Sequence, residues 1–184
     1  MILGMSIETF TRLHVGLSLV GLIAGLIVLF SLIGRRSLPA VTALFLATTL
    51  LTSATGFLFP GKFDPARAVG ILSLIVLAIA VYALYGRRLT GAWRPTYVIT
   101  ATLALWLNVF VAITQAFTKI PALVILAPTL SEPPFKAAQG GIVLLFLILG
   151  WMAFRNFRAP PPRAATEAGS EPPPEPPPEP PGAG

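Results

Sequence analysis

The chain has 184 residues, 55% of them hydrophobic and 11% charged, with a formal net charge of +6. Soluble domains carry about 25% charged residues, so this composition excludes an ordinary soluble domain and points to the membrane class. The absence of cysteine excludes disulfides, thiolate metal sites and a cysteine nucleophile.

A mean hydropathy of +0.81 agrees with the membrane class, and a pI near 10.5 raises the question of nucleic acid. The lysines and arginines lie in short segments between apolar runs, without a patch of interleaved aromatics, so nucleic acid is rejected as a partner. The expected partner is the bilayer, with a companion membrane subunit or a second copy beside it.

Five apolar runs approach the ~20 residues needed to cross ~30 Å of hydrocarbon. They are Leu13–Ile33, Pro39–Phe59, Val69–Gly86, Tyr97–Thr118 and Ala137–Phe154. The pattern predicts an all-α, polytopic helical bundle of five spans within residues 1–158. The first run is too long for a signal-peptide core and ends in Gly34-Arg35-Arg36 without an A-x-A cleavage pattern. It is read as a retained helix.

Basic residues set the expected orientation. Arg35, Arg36, Arg87, Arg88, Arg94, Arg155, Arg158 and Arg163 fall at one end of a five-span bundle. Arg12, Lys62, Arg67, Lys119 and Lys136 fall at the other, accompanied by Glu8, Asp64 and Glu132. The reading is therefore N-terminus outside and C-terminus cytoplasmic.

The connections carry their own signals. Pro39 suits the first turn of a helix after a tight hairpin. The stretch Leu89–Pro95 reads as a loop, with Trp93 and Tyr97 as interfacial anchors. Residues 119–136 hold an apolar stretch, Ala122–Ala127, too short to span and too apolar for a solvated loop. A segment lying on the lipid surface or capping the bundle fits both facts. The tail, 159–184, is built of Pro, Glu, Gly and Ala, with nothing apolar to bury, and is expected to be disordered and polyproline-like. The GRR hairpins at residues 34–36 and 86–88 hint at a parallel duplication, though basic hairpins recur in any chain that obeys the orientation rule.

The central run, YVITATLALWLNVFVAITQAFTK, carries Asn108 and Gln115 seven residues apart and hence on one helix face. With Ala101, Ala104 and Ala112 they form a stripe expected to turn inward, because an unpaired amide facing lipid costs a few kcal/mol. His14, Asn108, Gln115 and Gln139 all fall in the same half of the expected bundle, with Ser18, Thr52, Thr55 and Thr114. The candidate site is a pocket in which His14 titrates or ligates and the three amides orient a ligand. The competing reading is interhelical hydrogen bonding, worth about 0.6 kcal/mol per pair and needing no ligand.

No Asp or Glu lies within a span, and no Ser-His-Asp set, H-E-x-x-H motif or P-loop is present. The expectation is a non-enzymatic membrane protein or accessory subunit without metal or cofactor. One alternative is a site for a quinone- or lipid-like molecule. Another is a haem subunit pairing His14 across a dimer.

The motifs GRRSLP, GRRLTGAWRP, TSATGFLFP and NVFVAITQAF…SEPPF resemble those of small multi-spanning proteins of the bacterial inner membrane. That resemblance spans most of residues 10–157. It implies a location and attaches no activity and no residue role.

Overall fold

The structure, a computed structural model, describes residues 2–61 and 65–157. Lys62, Asp64, Arg158 and the tail 159–184 lie outside the described residues. The helices are α1 (Ile7–Ile33), α2 (Pro39–Gly56), α3 (Pro65–Val81), α4 (Trp93–Lys119), α5 (Pro121–Leu126) and α6 (Pro133–Phe157). A π-helical turn, Tyr82–Gly86, continues α3. Five helices are long and apolar enough to cross a membrane: α1, α2, α3 with its π turn, α4 and α6.

Local chemistry explains the boundaries, several of which lie beyond the apolar runs. α1 begins before Leu13 because Ser6 caps it, its hydroxyl accepting from the Thr9 N–H at 3.1 Å. Glu8 then sits in the first turn and pairs with Arg12 at 2.6 Å, favourable at the positive end of the helix dipole. α4 starts at Trp93, so Leu89–Pro95 is not wholly loop. Pro95 is the third helical residue, where the backbone N–H has no partner within the helix in any case. α6 likewise opens on Pro133 and Pro134. At the end of α3, the Arg87 N–H reaches back to the Tyr82 carbonyl at 2.9 Å, and the wider turn presses the Tyr82 ring against Gly86. A Cβ there would stand 2.8 Å from Tyr82 Cδ2.

The long helices form a ring in the order α1, α2, α3, α4, α6 and back to α1, with α4 also touching α1 across the middle. Water cannot drive helix association inside a bilayer, so close contact through small residues has to do it. Ala80, Ala83, Ala104 and Ala153 are completely buried at these seams. Gly25 marks the tightest approach: a Cβ on it would lie 2.5 Å from Leu105 Cδ1 and 2.8 Å from the Phe45 ring.

The core is uneven along the bundle axis. Its buried members include Val28, Leu29 and Leu32 of α1, Phe45 of α2, Leu77 of α3, and Val98 and Leu105 of α4. All belong to the half beside Arg35 and Arg87. In α4 no residue from Asn108 to Ala116 is buried. The bundle is tight at the arginine end and looser toward α5. The segment 119–136 holds the six-residue helix α5, with Ile120, Ile125 and Leu126 exposed and Ala127 buried. The turn leading into α6 is held by the Glu132 carboxylate, which accepts from the Thr129 hydroxyl and from the backbone N–H groups of Thr129 and Ser131. Chiefly the Thr129 hydroxyl, with the two backbone N–H groups, holds the Glu132 carboxyl below its ordinary pKa.

Candidate functional site

The predicted site residues take part in separate contacts. No hydrogen bond joins any two of His14, Asn108, Gln115 and Gln139 among the described residues. His14, half-buried on α1, lies 3.0 Å through Nδ1 from Thr55 Oγ1 on α2. The Thr55 hydroxyl gives its single hydrogen to the Leu51 carbonyl at 2.7 Å. His14 Nδ1 therefore carries a proton and donates to Thr55, so this nitrogen is not poised to activate the threonine. The imidazole edge also packs on Phe59, centroid to centroid 5.2 Å. This arrangement latches the start of α1 to the end of α2.

Gln139 is buried at the start of α6 and donates through Nε2 to the Phe110 carbonyl (3.2 Å) and the Thr114 hydroxyl (3.1 Å) of α4. Phe117 against Phe135, 5.4 Å apart, closes the same seam nearer α5. Asn108 is half-buried and turns toward Gly21 of α1, as do Thr48 and Thr49 of α2. The position of a Gly21 Cβ would lie 3.0 Å from Thr48 Oγ1, 3.1 Å from Thr49 Oγ1 and 3.5 Å from Asn108 Nδ2. Thr48 bonds back to the Leu44 carbonyl, whereas Thr49 Oγ1 and Asn108 Nδ2 are buried without a partner among the described residues. Gln115 is exposed. It shares the angular face of Asn108, but two turns further along α4 the neighbouring helices no longer cover that face.

A groove that the sequence reading missed lies between α4 and α6. Its volume is about 500 Å³. One wall is Ile99, Thr102, Leu103 and Trp106 of α4. The other is Val143, Phe146, Leu147, Gly150, Trp151 and Phe154 of α6. The two sets repeat at three- and four-residue steps, as facing helix stripes must. Gly150 holds the seam close where a Cβ would come within 3.1 Å of Thr102 Cγ2. Thr102 Oγ1 and Trp106 Nε1 are buried and have no partner among the described residues, so the surface offered to an occupant is carbon. The groove can take an alkyl or aromatic body, and it has no exposed donor for a polar head.

Beyond Phe154 the seam ends in charge and aromatic rings. The Arg94 guanidinium of α4 lies 5.6 Å over the Phe157 ring of α6, and Tyr97 is 6.5 Å from the same ring. Asn156 donates to the Ile33 carbonyl at 2.8 Å, tying this end of α6 to α1. Compared with protein-family models, with curated proteins and with solved structures, the chain gives no match.

Proposed function

We propose that this chain is a non-enzymatic integral membrane protein that holds the apolar body of a small amphipathic molecule, of lipid or quinone type, in the α4–α6 groove. The observation that carries the reading is the groove: about 500 Å³ between two helices that are long and apolar enough to span a membrane. Ligand sites are typically ~300–1,000 Å³, and mostly apolar and aromatic. Trp106, Phe146, Trp151 and Phe154 meet that description. The ligand site thus moves from the amide cluster to the groove. In this reading His14 serves as a hydrogen bonder between α1 and α2, and Gln139 between α6 and α4.

In this reading the arginine end faces the cytoplasm and the N-terminus lies outside, in a bacterial inner membrane. The supporting fact is the excess of arginine at the hairpin end, with Glu8 and Glu132 at the other. A second reading, a companion subunit packed on α6, is favoured by one observation: only 17% of the apolar window of α6 is buried, the least of the five.

Native mass spectrometry from mild detergent tests the groove. Wild type is expected to carry one adduct of lipid or quinone mass, and Val143→Trp, which fills the groove, is expected to lose it. An adduct that survives the substitution refutes the site. A companion chain in the spectrum that persists in the variant supports the second reading.

A further inference from the structure

Six arginines lie at the tight end of the bundle among the described residues: Arg35, Arg36, Arg87, Arg88, Arg94 and Arg155. No described carboxylate accompanies them. The described acids, Glu8 and Glu132, are at the opposite end, and the one described ion pair, Arg12–Glu8, is there too. Two of the six differ from the rest in place. Arg94 crosses from α4 to stack over Phe157 of α6. Arg155 follows Phe154, the last groove residue, and stands one helical turn beyond Trp151. The Arg94 guanidinium thus lies at the end of the α4–α6 seam, and Arg155, exposed on the Leu147–Trp151 stripe of α6, continues that wall.

We infer that the occupant of the groove is an anionic glycerophospholipid whose acyl chain lies along the groove and whose phosphate is held by Arg94 and Arg155. This rests on the groove reading above. Each part of such a lipid finds its counterpart. From Val143 to Phe154 the groove wall runs ~16 Å along α6 at 1.5 Å per residue, a length suited to an extended alkyl chain. Its lining is carbon, which suits the chain and rejects the head. The head must then sit beyond Phe154, where Arg94 and Arg155 have no anionic partner among the described residues. The contact with Phe157 is a cation–π contact, and the Arg94 guanidinium makes no hydrogen bond or ion pair among the described residues, so its N–H fork is available to phosphate oxygens. A neutral lipid or a quinone would bring neither guanidinium group a counter-charge.

The test compares phosphatidylglycerol with phosphatidylcholine of identical acyl chains, titrated onto the delipidated full-length protein in mild detergent and counted by native mass spectrometry. Wild type is expected to prefer the anionic lipid roughly tenfold or more, as two basic contacts would give. R94Q/R155Q is expected to lose the preference while still binding both lipids. R94K/R155K, which keeps the charges, and R35Q/R87Q, which removes equal charge at the same end, are expected to retain it. Far-UV circular dichroism establishes that each variant is folded. Equal binding of the two lipids to wild type overturns the headgroup assignment and leaves the groove reading standing. Loss of preference in R35Q/R87Q to the same extent also overturns it, since a diffuse positive field would then suffice. Lipid binding that V143W does not reduce overturns the groove reading itself.

Discussion

Replacing Gly25 by alanine adds one methyl at the closest approach of α1, α2 and α4. The new carbon would stand 2.5 Å from Leu105 Cδ1 and 2.8 Å from two atoms of the Phe45 ring. Each neighbour is only 1% exposed, so neither can swing out of the core to make way for the methyl. Overpacking of this kind costs ~1–3 kcal/mol. Alanine also favours the helix by up to ~1 kcal/mol over glycine, which leaves a net loss of up to about 2 kcal/mol. For a chain of this size that lowers Tm by up to roughly 8 °C. Gly16, on the same helix, is exposed and would place its Cβ within 4 Å of nothing. Gly16→Ala should therefore gain the propensity term alone and leave Tm level or a few degrees higher. Thermal unfolding of both variants in one detergent provides the measurement. A Gly25→Ala protein as stable as Gly16→Ala would refute the claim that this glycine sets the helix spacing.

Asn108→Leu should be neutral or slightly stabilising, because Asn108 Nδ2 is buried without a partner and its removal relieves an unpaired donor. A fall in stability above ~1 kcal/mol would show that the amide does bond across the bundle. Glu132 gives a pH dependence. Its folded pKa is depressed, first by the Thr129 hydroxyl, so its hold on the turn is present above the ordinary carboxylate pKa and fades as pH falls through the depressed value. Hydrogen exchange in residues 129–132 should accelerate at acid pH beyond its intrinsic trend, and Thr129→Ala should move that onset to higher pH. An onset that Thr129→Ala leaves unmoved would remove the hydroxyl from the account.

The spans were legible because hydrocarbon thickness fixes a minimum length, and Leu13–Ile33 and its four counterparts meet it. Their ends were not, because caps act outside the apolar run. Ser6 starts α1 a full turn and more before Leu13, and Pro95 sits harmlessly in the first turn of α4. Helical spacing placed Asn108 and Gln115 on one face. Whether that face is covered depends on how neighbouring helices diverge, which the period does not encode, and Gln115 is exposed for that reason. Gly21 and Gly25, four residues apart on α1, are buried where that helix meets α2 and α4. The groove left no mark in the sequence. Its residues are ordinary apolar ones, on helices whose facing positions are some forty residues apart in the chain.

The most direct test of the account asks where lipid sits on the folded protein in a bilayer. A phospholipid with a photoreactive acyl chain, cross-linked and mapped by peptide mass, reports that position. Leu13, Leu19 and Ile23 of α1 supply the reference, since they are exposed and apolar but lie outside the α4–α6 groove. The account predicts label concentrated on Ile99–Trp106 and Val143–Phe154, saturating at one lipid per chain. Label spread over α1 and the other exposed faces in proportion to their area would contradict it.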